Sequence, residues 1–177
     1  MGMLDLINTA KQNLKEYSDA EFLTRDQTGT ILIHALTLFE SRSGRWAALN
    51  GEIVEAAPKV TGAIPQRPGT RVKVMFQLHG KRVDVQLTEL AKLVKAVYDV
   101  STDEAFAAAL KRCLGSSGVT TDATESDRAD PMFGARGVLV GFSTSVKTEP
   151  FVNVKFSHVN QEPEEILSRA AKLPEVK

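Results

Sequence analysis

Cysteine is almost missing from this chain of 177 residues. A single thiol, Cys113, can neither close an internal disulfide nor build a cysteine-based metal site, and a reducing cytoplasm fits that usage. Long apolar runs are missing as well. Stretches such as Val138–Val140 fall far short of the roughly 18 residues a spanning helix needs, so no membrane segment is expected. No basic-then-apolar leader is expected either, because Asp5 and Lys11 interrupt Met1–Asn13. Net charge is absent: 22 basic side chains balance 22 acidic ones, which excludes a histone-like polycation.

The signatures of catalysis and metal binding are missing too. His34, His79 and His158 are scattered with no pair at metal-ligand spacing, and they read as structural or solvent-facing residues. Cys113 sits beside Leu110 and Leu114 and reads as a buried, inert thiol. Asp122, Glu125, Asp127 and Asp130 lack the Asp-x-Asp-x-Asp-Gly order of a calcium loop. Gly134, Gly137 and Gly141 come without the Gly-Lys-Ser/Thr of a phosphate-cradling loop. No Gly-x-Ser-x-Gly elbow occurs, and no carboxylate pair stands out as an acid–base couple. The sequence makes no positive case for an enzyme, and no cofactor is implied.

What is present is globular: 42% apolar and 25% charged residues in a length suited to one domain. Charge is unevenly spread. Positions 41–100 are rich in cations (Arg42, Arg45, Arg71, Lys73, Lys81 and Arg82 among them), whereas 101–131 is acidic. A neutral total therefore hides a basic centre between acidic flanks, which fits a binding surface or merely a solvated strand face.

Periodicity sets the organisation. Leu4, Ile7, Ala10 and Leu14 suggest an N-terminal helical extension within 1–28. Ile31–Phe39 and Arg45–Ala56 read as strands joined by the turn Ser41–Gly44. A Pro- and Gly-rich loop follows, then a third strand, Arg71–Leu78, whose Val72, Val74, Phe76 and Leu78 oppose Arg71, Lys73, Met75 and Gln77. The alternation of Val83, Val85 and Leu87 predicts a hairpin extension of that strand after the turn at His79-Gly80. Helices are expected from Thr88 and from Ser101, the latter with Glu104 as a capping box. A mobile acidic loop is expected over 115–131. Ala135–Ser143 and Phe151–His158 read as the last strands, and Pro163 opens a helix through about Leu173 in a tail spanning 161–177. The predicted class is α+β, mainly β: a five-stranded barrel of the oligonucleotide/oligosaccharide-binding (OB) type over 29–160. Helices lie between its third and fourth strands, with helical extensions at both termini.

Over Gly29–Val159 the sequence resembles the OB-fold single-stranded DNA-binding proteins of bacteriophages. The resemblance rests on the hairpin Gly29-Thr-Ile-Leu-Ile-His-Ala-Leu-Thr-Leu-Phe-Glu-Ser-Arg-Ser-Gly-Arg-Trp, on Pro68-Gly69-Thr70 before the third strand, and on helices ending at Leu114-Gly115. The closing pair is Gly137-Val-Leu-Val-Gly-Phe and Phe151-Val-Asn-Val-Lys-Phe. It implies cooperative, largely sequence-independent coating of single strands in replication, recombination or repair, in the host cytoplasm if phage-encoded. The ending Leu173-Pro-Glu-Val-Lys departs from the acidic, aromatic tip with which such proteins often recruit replication or recombination enzymes.

Strand binding needs cations for phosphates and aromatic faces for bases. The candidates are Arg42 and Arg45 beside Trp46, Arg71 and Lys73 on the third strand, and Lys81 and Arg82 at the expected hairpin tip. Lys147, Phe151 and Lys155 stand near the last loop. Trp46 and Phe151 suit packing as well as stacking, whereas Phe39, Phe76 and Phe142 sit among aliphatic neighbours and read as core. Parity places Phe151 with Asn153 and Lys155, opposite Val152, Val154 and Phe156. A rival reading, favoured by the neutral total charge, makes the barrel an interaction module docking a nuclease, polymerase or host factor. The terminal helices would pack on the barrel or join copies into a homo-oligomer.

Overall fold

Alternation with apolar residues on both faces makes the centre of a sheet, and this chain has two such stretches in succession. The computed structural model describes residues 20–102, 104–105, 108–109, 135–148 and 151–173, with side chains for all of these but 37–40, 147, 148 and 151. Its elements, in chain order, are β1 (Glu21–Phe22), β2 (Gln27–Ser41), β3 (Gly44–Pro58), β4 (Arg71–Gln77), α1 (Val83–Tyr98), β5 (Leu139–Thr148), β6 (Phe151–His158) and α2 (Pro163–Lys172). The strands form one six-stranded sheet in the order β1-β4-β3-β2-β5-β6. All pairings are antiparallel except β1 with β4, which is parallel.

The fold is thus α+β and mainly β, but among the described residues the sheet is open and has six strands where five in a barrel were expected. β4 and β6 are not hydrogen-bonded to each other. Helix α1 packs on β4, β5 and β6. A groove of about 170 Å³ runs beside it, with Val74, Phe76, Val85, Val154 and Phe156 in its walls. His158 fastens α1 to β6 by donating from Nδ1 to the carbonyl oxygen of Ala96 at 2.8 Å.

One face of the sheet and the stripe Leu90, Leu93, Val94 and Val97 of α1 enclose the core with Ile31, Ile33, Leu36, Leu49, Val72 and Phe142. Two expected core aromatics, Phe76 and Phe142, are buried there. The side chain of Phe39 lies outside the described residues.

The expected strand through Val83, Val85 and Leu87 is instead the first half of α1. Gly80, at φ +78°, ends β4 in a turn, and Val83 N–H donates to Gly80 O as the helix begins. Three apolar residues at a spacing of two fit either period. The apolar stripe from Leu90 continues upstream only as a helix, with Val85 and Leu87 left half exposed. β5 also begins and ends later than expected. Ala135 and Gly137 take left-handed φ values of 55° and 81° and turn the chain first. A Cβ on Gly137 would lie 2.6 Å from Ile166 O and 2.8 Å from Ala170 N, so glycine is what lets α2 dock there.

The predicted final helix is α2, with Glu162 and Glu165 forming its capping box. It packs on the parent sheet through buried Ile166, and Arg169 Nε donates to Gly137 O at 2.8 Å. The expected N-terminal helix, up to residue 19, lies outside the described residues, as do the acidic loop 115–131 and Cys113. Residues 20–28, assigned to that helical extension, hold β1 and the start of β2 instead. In the second expected helix Thr102 Oγ1, not Ser101, accepts from Ala105 N–H. No described helix is long and apolar enough to cross a membrane.

Candidate nucleic-acid interface

Of the predicted residues, the face of β3–β4 turned away from the core gathers Trp46, Arg71 and Lys73 and leaves out Arg45. Register pairs Trp46 with Gln77, Ala48 with Met75, Asn50 with Lys73 and Glu52 with Arg71, so these eight share one face. Their neighbours in sequence, Ala47, Leu49, Val72 and Phe76, are buried on the other. Arg71 is exposed and Lys73 partly so, while the short Ala48 and Asn50 lie buried between the longer side chains.

Trp46 is half-buried and held at two points. Its indole N–H lies 3.1 Å from Ser41 Oγ and 3.3 Å from Ser43 Oγ, and its ring stands nearly perpendicular to His79 at 5.3 Å between centroids. Packing and partial exposure are therefore combined in one residue.

β1 brings an aromatic that sequence reading missed. Phe22 is 62% exposed, and Lys73 Nζ sits 4.8 Å from the centre of its ring. The register pairs Phe22 with Lys73, which puts both on the face that carries Trp46. A strand of two residues has no period to detect, and Phe22 borders a polar break.

A buried amide network mounts this strand. Gln27 is fully buried, and its Nε2 donates to Gln66 Oε1 at 2.7 Å while its Oε1 accepts from Gln66 N–H at 2.9 Å. Gln66 Nε2 then donates to Phe22 O and Glu21 Oε2, both at 3.1 Å. Thr144 Oγ1, from β5, accepts from Gln27 N–H and donates to Thr24 O at 2.7 Å. Every polar group of both glutamine side chains is used, as burial demands.

The other predicted residues are spread more widely. Arg42 is exposed in the β2–β3 turn, whereas Arg45 points to the opposite side of β3 from Trp46. Lys81 and Arg82 stand exposed just before α1 rather than on a hairpin tip, and Arg82 borders the groove. Lys155 is exposed on β6, facing away from Val154 and Phe156 as parity predicted. The side chains of Lys147 and Phe151 lie outside the described residues. Among the described residues no cluster of His, Cys, Asp and Glu could hold a metal ion.

His34 falls at a register shift of β2 against β3, its imidazole mostly buried with Nε2 3.6 Å from Glu52 Oε2. That distance is too long for a hydrogen bond, and among the described residues Nε2 has no hydrogen-bond partner. Burial lowers the imidazole pKa below its usual value. Glu52 opposes that shift, and Arg71 and Arg136 add to it. The unfolded chain therefore takes up a proton on acidification that the folded chain refuses. Stability contributed by neutral His34 is full above about pH 6.5 and is lost as pH falls from there toward the lower folded value. Denaturant titrations at pH 7.5 and 5.5 should show wild type losing more stability than His34→Gln, by up to about 1.4 kcal/mol per pH unit. Equal losses would mean that His34 is protonated in the fold.

No protein-family model matches the sequence, and no curated protein matches it. The side chains themselves carry the functional reading.

Proposed function

We propose that the protein binds single-stranded DNA with little base preference on the outer face of β3–β4. The observation that carries this reading is the register that sets Arg71, Lys73 and Trp46 on one sheet face. Cations there displace counterions from phosphates, and the aromatic offers a surface on which a base stacks. The strand order β4-β3-β2-β5-β6 supports an OB-type fold left open between β4 and β6, with β1 added at the edge. On that reading β3 and β4 are the second and third OB strands, which carry the ligand face. Arg42, exposed in the β2–β3 turn, and Lys155, exposed on the side of β6 away from Val154 and Phe156, are further cations for this reading. The process served is the coating or protection of strands in replication, recombination or repair, in a phage-infected cell's cytoplasm.

The groove beside α1 favours a second reading, in which the same domain docks a protein partner. Its walls combine apolar side chains with Arg82, Gln86 and Glu89.

Salt separates the two. Trp46 is the only tryptophan, so its fluorescence reports on the site directly. Titration with oligo-dT should quench it to saturation, and raising salt from about 50 to 200 mM should reverse the quenching. Absence of both quenching and a mobility shift of labelled oligo-dT would remove the DNA reading and leave the docking one. A shift without quenching would keep the function and place the stacked bases away from Trp46.

A further inference from the structure

We infer that Phe22 is a base-stacking platform that β1 adds to the face of β3–β4, with Lys73 holding the adjoining phosphate. This rests on the strand-binding reading above and names a binding residue outside the region that resembles OB-fold proteins.

Phe22, a residue 62% exposed, sits on a rigid mount here. Its carbonyl is held by Gln66, its strand is hydrogen-bonded to β4, and the next residue, Leu23, is buried in the core. Little backbone freedom remains to be lost on binding. The Lys73 ammonium at 4.8 Å covers one side of the ring. The opposite side is left for a flat partner, and a cation stands one side-chain length from it.

Local charge selects what that partner is. Arg67 and Arg71 are exposed on the same stretch of chain as Lys73; of the carboxylates around them, Glu21, next to Phe22 in the chain, is engaged by Gln66 Nε2, and Glu52 lies across from Arg71. An aromatic amid cations suits a base with its phosphate. A duplex keeps its base faces stacked and could not use the ring, so Phe22 also favours single over double strands. Strand spacing and rise put Phe22 roughly 16 Å from Trp46 across the sheet, so the two rings serve different nucleotides.

The experiment measures oligo-dT affinity by anisotropy for wild type, Phe22→Leu, Phe22→Tyr and Lys73→Gln at several salt concentrations. Phe22→Leu should weaken binding by roughly 5- to 100-fold with the salt slope unchanged, and Phe22→Tyr should stay within about threefold of wild type. Lys73→Gln should reduce the slope by about 0.7. An exposed ring is expendable to the fold, so thermal midpoints should match wild type. If wild type binds and Phe22→Leu binds as tightly, the platform is overturned and the strand-binding reading stands. A Tyr variant as weak as the Leu variant overturns stacking as well. Failure of wild type to bind overturns both.

Discussion

Exchanging Gln27 for leucine is expected to lower the free energy of unfolding by about 3–5 kcal/mol, although leucine is apolar and of similar volume. The side chain is fully buried yet makes no use of hydrophobicity; it is there to complete hydrogen bonds. Without it the backbone N–H of Gln66 loses its acceptor at 2.9 Å, and Gln66 Oε1 loses its shortest donor. The orphaned N–H costs about 1–3 kcal/mol, and Gln66 Oε1, left with Thr24 N–H alone, adds to it, in a domain whose whole stability is about 5–15 kcal/mol. Urea titration should show a lower midpoint with an unchanged slope. A loss under about 1 kcal/mol would mean that water replaces the amide and that the network is not a structural pin. Because Gln66 also holds the carbonyl of Phe22, strand binding should weaken in this variant even under conditions where it is folded.

The second large effect is electrostatic. Replacing Arg71 and Lys73 together by glutamine should weaken oligo-dT binding on the order of 100-fold at low salt and flatten the logarithmic salt dependence by about 1.4. Both side chains leave the sheet on the face away from the core, so the free energy of unfolding should change by no more than about 0.5 kcal/mol. Unchanged affinity in a folded variant would move the phosphate path off β4, toward Arg82 and Lys155.

Much of the architecture could be read from the residues in order. Alternation over Ile31–Phe39 and Arg45–Ala56 predicts the β2–β3 hairpin, and Pro163 with Glu164 and Glu165 marks the start of α2. The parity of Val152, Val154 and Phe156 predicts which side of β6 turns inward. What escaped reading lacks a local signal. Val83, Val85 and Leu87 satisfy a strand and a helix equally, and only the downstream stripe at Leu90–Val97 decides between them. β1 is too short to show a period, and Phe22 went unnoticed with it. Gln27 and Gln66 carry no local sign of burial, because the partners of Gln27 lie 39 and 117 positions away. Whether β4 meets β6 depends on how the sheet curls around α1, which no window of sequence contains.

The position of β2 between β3 and β5 has a consequence for the protein's synthesis. Its hairpin partner follows at once, but Leu32 must wait for Leu139, more than 100 residues later. At roughly 5–20 residues per second, ribosomes leave that edge without its neighbour for about 5–20 s. Throughout this interval a nascent chain presents Ile31, Leu32, Ile33 and Leu36 along an open strand, the arrangement most prone to capture by another chain. Slower elongation between Gln77 and Leu139 would lengthen the exposure, so yield of soluble protein should be governed by translation of the middle of the message rather than by its ends.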